Sequence, residues 1–167
     1  MAERRGTSGD RLAPSLLDRL IDLDPDLERD PPVTPAEQPG GLRAALRRDL
    51  EILLNTRCRP TSPPAGHGEL ADSLVSLGVE DFFATSLVTD MQRQAFARTL
   101  RTRIARFEPR LENLDVELVA DPAGEQRSLR LRISALYRAR SGLPPIVFET
   151  RMDPVAGRFT VTEARHG

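Results

Sequence analysis

Apolar residues recur along this chain in two rhythms, and the switch between them divides it. Over 41–56 they recur at helical spacing: Leu42, Leu46, Leu50 and Leu53 form a stripe, widened by Ala45 and Leu54. Arg43, Arg47, Arg48 and Glu51 occupy the other faces, with Arg47 placed to meet Glu51 one turn on. A second stripe, Phe96, Leu100, Ile104 and Phe107, predicts the longest helix, over 85–107. Thr89 and Gln92 stand at capping-box spacing near its start, with Ser86 as an alternative cap. Pro109 ends the helix and pushes Glu108 toward an extended backbone. A shorter helix over 69–77, stopped by Gly78, is expected between the two.

Beyond Pro109 the period becomes two. Leu114, Val116 and Leu118 alternate with Asp115 and Glu117. After a turn at 121–124, Leu129, Leu131, Ile133 and Ala135 alternate with Arg130, Arg132 and Ser134, so acids of one strand are expected to face arginines of the next. Two further strands are predicted over 146–151 and 158–163. Helices followed by a meander give an α+β fold, with N-terminal helices and then a small antiparallel sheet of three to four strands.

The first forty residues follow neither rhythm for long. Leu16, Leu17, Leu20 and Ile21 mark one face of a short amphipathic helix over 14–23. A helix that short is unstable alone in water and must dock on something. Pro25, Pro31, Pro32, Pro35 and Pro39 then exclude helix and ladder alike. The expected organisation is a partly disordered arm over 1–40 with a docking helix (14–23) and a Pro-rich linker, an α+β domain over 41–163, and a tail over 164–167. The arm holds nine acids and five arginines.

Composition narrows the chemistry. Apolar residues make up 39%, enough for a modest core, and aromatics only 4%, with no Trp, so stacking platforms for single-stranded nucleic acid are scarce. All 24 basic residues are arginine, which suits either GC-rich coding or bidentate pairing to carboxylates. Cys58 is the only cysteine, which excludes an internal disulfide or a Cys-based zinc site and suits a reducing compartment. No signal-like or membrane-spanning apolar run is present, so a soluble cytoplasmic protein is expected.

Catalysis finds little support. His67 and His166, the only histidines, lie in a loop and the tail, and no phosphate-binding glycine motif occurs. No catalytic residue, metal or cofactor is expected. The best-placed acid is Glu108, but Arg106 and Arg110 flank it and are expected to hold its carboxyl low, the wrong direction for a general acid. Residues 91–110 carry six arginines and one acid, which keeps nucleic-acid binding as an alternative. A solvated helix face or an acidic protein partner accounts for the same charge, and no base-reading module accompanies it. The corner Phe107-Glu108-Pro109-Arg110-Leu111 also has two readings: a helix stop with a local ion pair, or a carboxylate and a guanidinium displayed at a fixed angle.

That corner resembles the E-P-R signature of the TssE family of type VI secretion baseplate proteins and related phage baseplate wedge proteins. Four other stretches agree in order. Pro14 to Leu20 resembles the family's N-terminal helix, Arg47 to Arg57 its R-R-D-L-E-x-L-L-N-T-R helix, and Ser76 to Phe82 its N-Y-G-L-P-D-F/L loop. Phe148-Glu149-Thr150 and Phe159-Thr160-Val161 resemble its closing strands. Ile52 departs from a common aromatic, and Leu77 and Glu80 depart from the loop's Tyr and Pro.

The resemblance implies a non-enzymatic structural subunit, one copy per wedge, in a cytoplasmic assembly docked at the inner membrane. Its partners would be wedge subunits resembling TssF, TssG and TssK and sheath subunits resembling TssB and TssC, with no nucleic acid and no direct membrane insertion. Glu108, Pro109 and Arg110, with Arg47, Arg48 and Asp49, are the expected partner contacts. Arg158, Phe159, Thr160, Val161, Thr162 and Glu163 are the expected sheath-docking strand. Leu16, Leu17, Leu20 and Ile21 are the expected anchor. A wedge protein of a phage-derived particle, a nucleic-acid binder and a peptidoglycan hydrolase remain the alternatives.

Overall fold

Helix α1 runs from Gln38 to Asn55. It begins ahead of the apolar stripe because Pro39 falls in its first turn, where the missing N–H breaks no helical bond. In the computed structural model, residues 20–21, 25–28, 38–59, 66, 68–71, 73–80, 89–120, 129–138, 144–153 and 156–164 are described. The chain forms two units, Met1–Leu46 and Arg47–Gly167, and the division falls within α1. In the first unit Leu20 is 81% exposed, Ile21 is also exposed, and Leu46 is buried. The rest of the expected docking helix, with Leu16 and Leu17, lies outside the described residues.

In the second unit α1 buries Leu50, Leu53 and Leu54, as the stripe predicts, and the Arg47–Glu51 pair forms at 3.0 Å. After the helix, Arg57 and Val79 form an isolated parallel bridge, with Val79 N–H donating to Thr56 O at 2.8 Å. Gly78 enables this approach. Its φ is +107°, and a Cβ there would lie 2.4 Å from Thr56 O.

The single helix expected over 69–77 is replaced by two pieces: α2 (Gly68–Ala71) and a 3-10 turn (Leu74–Ser76). Serine explains the break. Ser73 Oγ accepts from Val75 N–H at 3.2 Å, capping the turn, and the hydroxyls of Ser73 and Ser76 both donate to Leu70 O. Side-chain bonds of this kind compete with the helical ladder.

Helix α3 spans Asp90–Phe107 and starts from Thr89, where both bonds of the capping box are made. Residues 85–88, expected to be helical, lie outside the described residues. Phe96, Ala97, Leu100 and Ile104 are buried, while Phe107, in the last turn, is only half-buried.

The sheet comprises β1 (Leu111–Val119), β2 (Leu129–Tyr137), β3 (Ile146–Asp153) and β4 (Arg158–Glu163), antiparallel in the order β1-β2-β3-β4. The fold is α+β, helices first and then this four-stranded meander. The inner face buries Leu131, Ile133, Phe148, Met152, Phe159 and Val161 among others. Phe159 stacks on Phe96 of α3, ring centres 6.4 Å apart, which ties the edge strand to the long helix. Thr150, whose hydroxyl is buried in the sheet, donates to Leu131 O.

On the outer face Glu117, Arg132 and Glu149 stand in register across three strands, so acids and arginines do face each other there; Asp115, by contrast, faces Ser134. In β1 the register shifts between Glu112 and Asp115, and Asn113 takes φ +51°. This bulge lets Leu111 and Leu114, three apart, both point inward. The alternation in the sequence therefore starts late, at Leu114, although the strand begins at Leu111.

Candidate functional site

The corner between α3 and β1 is set by backbone first. Glu108 caps α3 with its N–H on Ile104 O at 2.8 Å, and Leu111 N–H returns to Glu108 O at 3.1 Å, closing a turn around Pro109 and Arg110. Arg138 N–H donates to Arg110 O at 2.8 Å and ties the turn to the end of β2. With the main chain held at three points, the direction of the Arg110 side chain is constrained.

That side chain bridges two acids. Arg110 Nε and Nη2 donate to Glu108 Oε2 at 2.9 and 2.6 Å, and Nη2 also donates to Asp49 Oδ2 at 2.6 Å. Asp49 Oδ1 in turn accepts from Arg48 Nε and Nη2 at 3.2 and 3.0 Å. Arg48, Asp49, Arg110 and Glu108 thus form a chain of alternating sign that pins α1 to the corner across 61 residues of sequence. Charge-assisted bonds this short are strong where water is scarce, and the side chains of Asp49, Glu108 and Arg110 are 18%, 11% and 23% exposed.

The titration of this cluster corrects the sequence reading. Burial pushes the Glu108 carboxyl above its ordinary value of 4.5, and the Arg110 charge and hydrogen bonds only partly oppose that, while Asp49 adds to it. The neighbouring arginines were expected to win; loss of water outweighs them. For Arg110, burial acts to lower the guanidinium, but the Asp49 hydrogen bond and the Glu108 charge and hydrogen bond outweigh it and the net shift is upward.

A raised Glu108 is the direction a general acid needs, yet its Oε2 is committed to Arg110. Of the two readings of the corner, the local ion pair is therefore made. It extends to Asp49, an acid that sequence spacing alone did not connect to it. Pro109 is exposed and the Arg48 side chain is 33% exposed, more than those of Asp49, Glu108 and Arg110.

The second feature is the outer edge of β4. Ala164 N–H donates to Val147 O, which places the backbone of even-numbered β4 residues toward β3 and that of Phe159, Val161 and Glu163 outward. At Phe159 the outward groups are taken: its N–H donates to Asn55 Oδ1 at 2.8 Å, and its C=O accepts from Asn55 Nδ2 at 2.9 Å. Val161 and Glu163 have no such partner among the described residues. Of the expected docking strand, Phe159 and Val161 turn their side chains into the core, while Arg158, Thr160, Thr162 and Glu163 are exposed.

The opposite edge, β1, is unlike it, being bulged at Asn113 and having Leu114 O bound by Arg101 Nε at 2.9 Å. Beside β4, an open groove of about 520 Å³ is lined by Arg47, Arg48, Glu51, Ile52, Asn55, Thr56 and Arg158. It brings the arginines of the R-R-D stretch next to the first residue of the edge strand. Ile52, on its wall, is 53% exposed.

Asn55 escaped the sequence reading because asparagine near the end of a helical stripe reads as an ordinary helix end. Its place in the N-T-R part of the helix motif was the one available signal. Among the described residues no group of His, Cys, Asp and Glu is placed to hold a metal ion, and no helix is long and apolar enough to cross a membrane.

No curated protein matches the chain. Residues 41–141, which carry α1 from Gly41 onward, α3, the corner, β1 and β2, match the family described as baseplate wedge protein gp25, and the chain belongs to that family.

Proposed function

We propose that this chain is a non-enzymatic structural subunit of a type VI secretion baseplate that joins the wedge through its charged corner and starts the contractile sheath by accepting a strand at β4. Membership of the baseplate wedge family carries the coarser part of this reading, a structural role in contact with other baseplate components. The finer part rests on one observation: β4 leaves the main-chain groups of Val161 and Glu163 facing outward and unpaired among the described residues. An open edge is a hazard that folded proteins usually blunt, and main-chain pairing to such an edge is a common way to recruit an extended segment.

The corner serves wedge docking in this reading by being rigid. Its buried charges hold the turn, and Pro109, Arg48 and Arg47 offer the surface that wedge subunits resembling TssF, TssG and TssK meet. Sheath subunits resembling TssB and TssC supply the added strand. The work is done at the cytoplasmic side of the inner membrane, with one copy per wedge. A phage-derived particle uses the same family of wedge proteins; the stretch Pro14 to Leu20 is what favours the secretion system.

The test is proline at the outward positions. Glu163→Pro and Val161→Pro each remove a donor that faces away from β3, so the internal ladder keeps its bonds. Purified wedges should still form with either variant, while sheaths should be absent by electron microscopy. Normal sheaths in the presence of folded Glu163→Pro would overturn strand addition at β4.

A further inference from the structure

We propose that Asn55 is a register stop for the strand added at β4. This rests on the strand-addition reading and names the residue that decides where pairing ends. The carboxamide of Asn55 presents a carbonyl and an N–H side by side, as a peptide unit does, and it uses both on the backbone of one residue, Phe159. It therefore stands where the next residue of an incoming strand would stand. The amide is locked in this orientation, since its second N–H donates to Glu51 O at 2.8 Å, one turn back in α1. Both Nδ2 hydrogens and Oδ1 are in use, and flipping the amide would set its oxygen against two carbonyls.

The position of the plug matters as much as its bonds. Outward-facing groups recur every second residue along β4: Phe159, Val161, Glu163. Asn55 fills the first of these and leaves the next two. A strand arriving at this edge pairs along Val161 and Glu163 and meets the amide at Phe159. A strand slipped by two residues would keep the same side-chain faces, so the pleat itself does not forbid that error. A stop at one end does. Phe159 is fixed in its turn by burial against Phe96, so the stop and the rung it fills are held by the same core.

The isolated chain gives the first readout. In Asn55→Ala the amide of Phe159 should exchange with solvent about tenfold faster or more, the loss of one protecting hydrogen bond, while the Val161 amide is unaffected. Asn55→Asp keeps shape and the bond to Phe159 N–H but repels the carbonyls of Phe159 and Glu51. It serves as the second variant should Asn55→Ala fold poorly.

The register is read by disulfide mapping in a Cys58→Ser background, with Thr162→Cys or Arg158→Cys in this chain and single cysteines along the sheath segment. TssB- and TssC-type subunits of the same machine are the probe. With Asn55 present, Thr162→Cys should cross-link and Arg158→Cys should not. With Asn55→Ala or Asn55→Asp, cross-links from Arg158→Cys should appear, and the partner residue joined to Thr162→Cys should move by two. Cross-links from Thr162→Cys that are identical in both backgrounds overturn the stop and leave strand addition standing. No cross-link from Thr162→Cys in either background removes strand addition at β4, and the stop with it.

Discussion

Replacing Arg110 with alanine removes the one cation that holds two acids together. Glu108 and Asp49 each lie 2.6 Å from the same guanidinium nitrogen, and their side chains are 11% and 18% exposed. Truncating one member of a fully buried pair costs about 3–5 kcal/mol, because the partner charge is left without compensation. Two features reduce that here: partial solvent access, and the grip that Arg48 keeps on Asp49. The expected loss is about 2–4 kcal/mol at pH 7. Glu108→Gln, which keeps an acceptor for Arg110 but no charge, should cost less, about 1–2 kcal/mol.

The loss should also depend on pH. The Glu108 carboxyl titrates above its ordinary value in the folded chain, so the folded state binds the proton more tightly than the unfolded one. Its contribution to stability is therefore largest below pH 4.5 and falls as pH rises through the raised value. Without Arg110 the opposing positive charge and hydrogen bond are gone, and the window extends further up. Arg110→Ala should then recover part of its deficit as pH drops from 7 toward 5, and Glu108→Gln combined with Arg110→Ala should not. Urea unfolding followed by circular dichroism at the two pH values measures both effects. A deficit below about 1 kcal/mol at pH 7, or one that stays the same at pH 5, would refute the reasoning that burial of these charges governs the corner.

Three further outcomes are expected. Gly78→Ala should lower stability by about 2–4 kcal/mol in the same unfolding assay, since its Cβ would meet Thr56 O at 2.4 Å on a backbone with φ +107°. Phe159→Ala should cost about 3–5 kcal/mol, for it empties a fully buried site against Phe96, and a cost under 1 kcal/mol would deny β4 its place in the core. Thr89→Ala removes one half of the capping box and should cost about 1 kcal/mol, seen as a lower thermal midpoint with the helical signal of α3 otherwise kept.

What the sequence disclosed and what it withheld follow from the range of the interactions. The stripes of α1 and α3, the capping box at Thr89 and the bounds of β4 all rest on neighbours within a turn or a pleat, and they were legible. The serine-broken segment at 68–76 was not, because its helical pattern competes with hydroxyls whose choice of carbonyl depends on the turn already formed. The start of β1 was hidden by the bulge at Asn113, which shifts the inward phase by one residue. At the site, the proline corner was visible as a geometric device. Its link to Asp49 and the Asn55 bonds to Phe159 were not, since each joins residues far apart in sequence. Counting nearby arginines gave Glu108 the wrong direction because a sequence does not show how much water a side chain loses.

The bonds between Asn55 and Phe159 span 104 residues. Helix α1 leaves the ribosome long before its counterpart exists, and in the order β1-β2-β3-β4 each strand pairs with the one before it in the chain. The β4 edge is therefore the last edge of the sheet to be synthesised, and the Asn55 bonds to it can be made only then. A chain halted before β4 holds Asn55 without its Phe159 counterpart, so neither the edge nor its amide contact exists until the fourth strand is made.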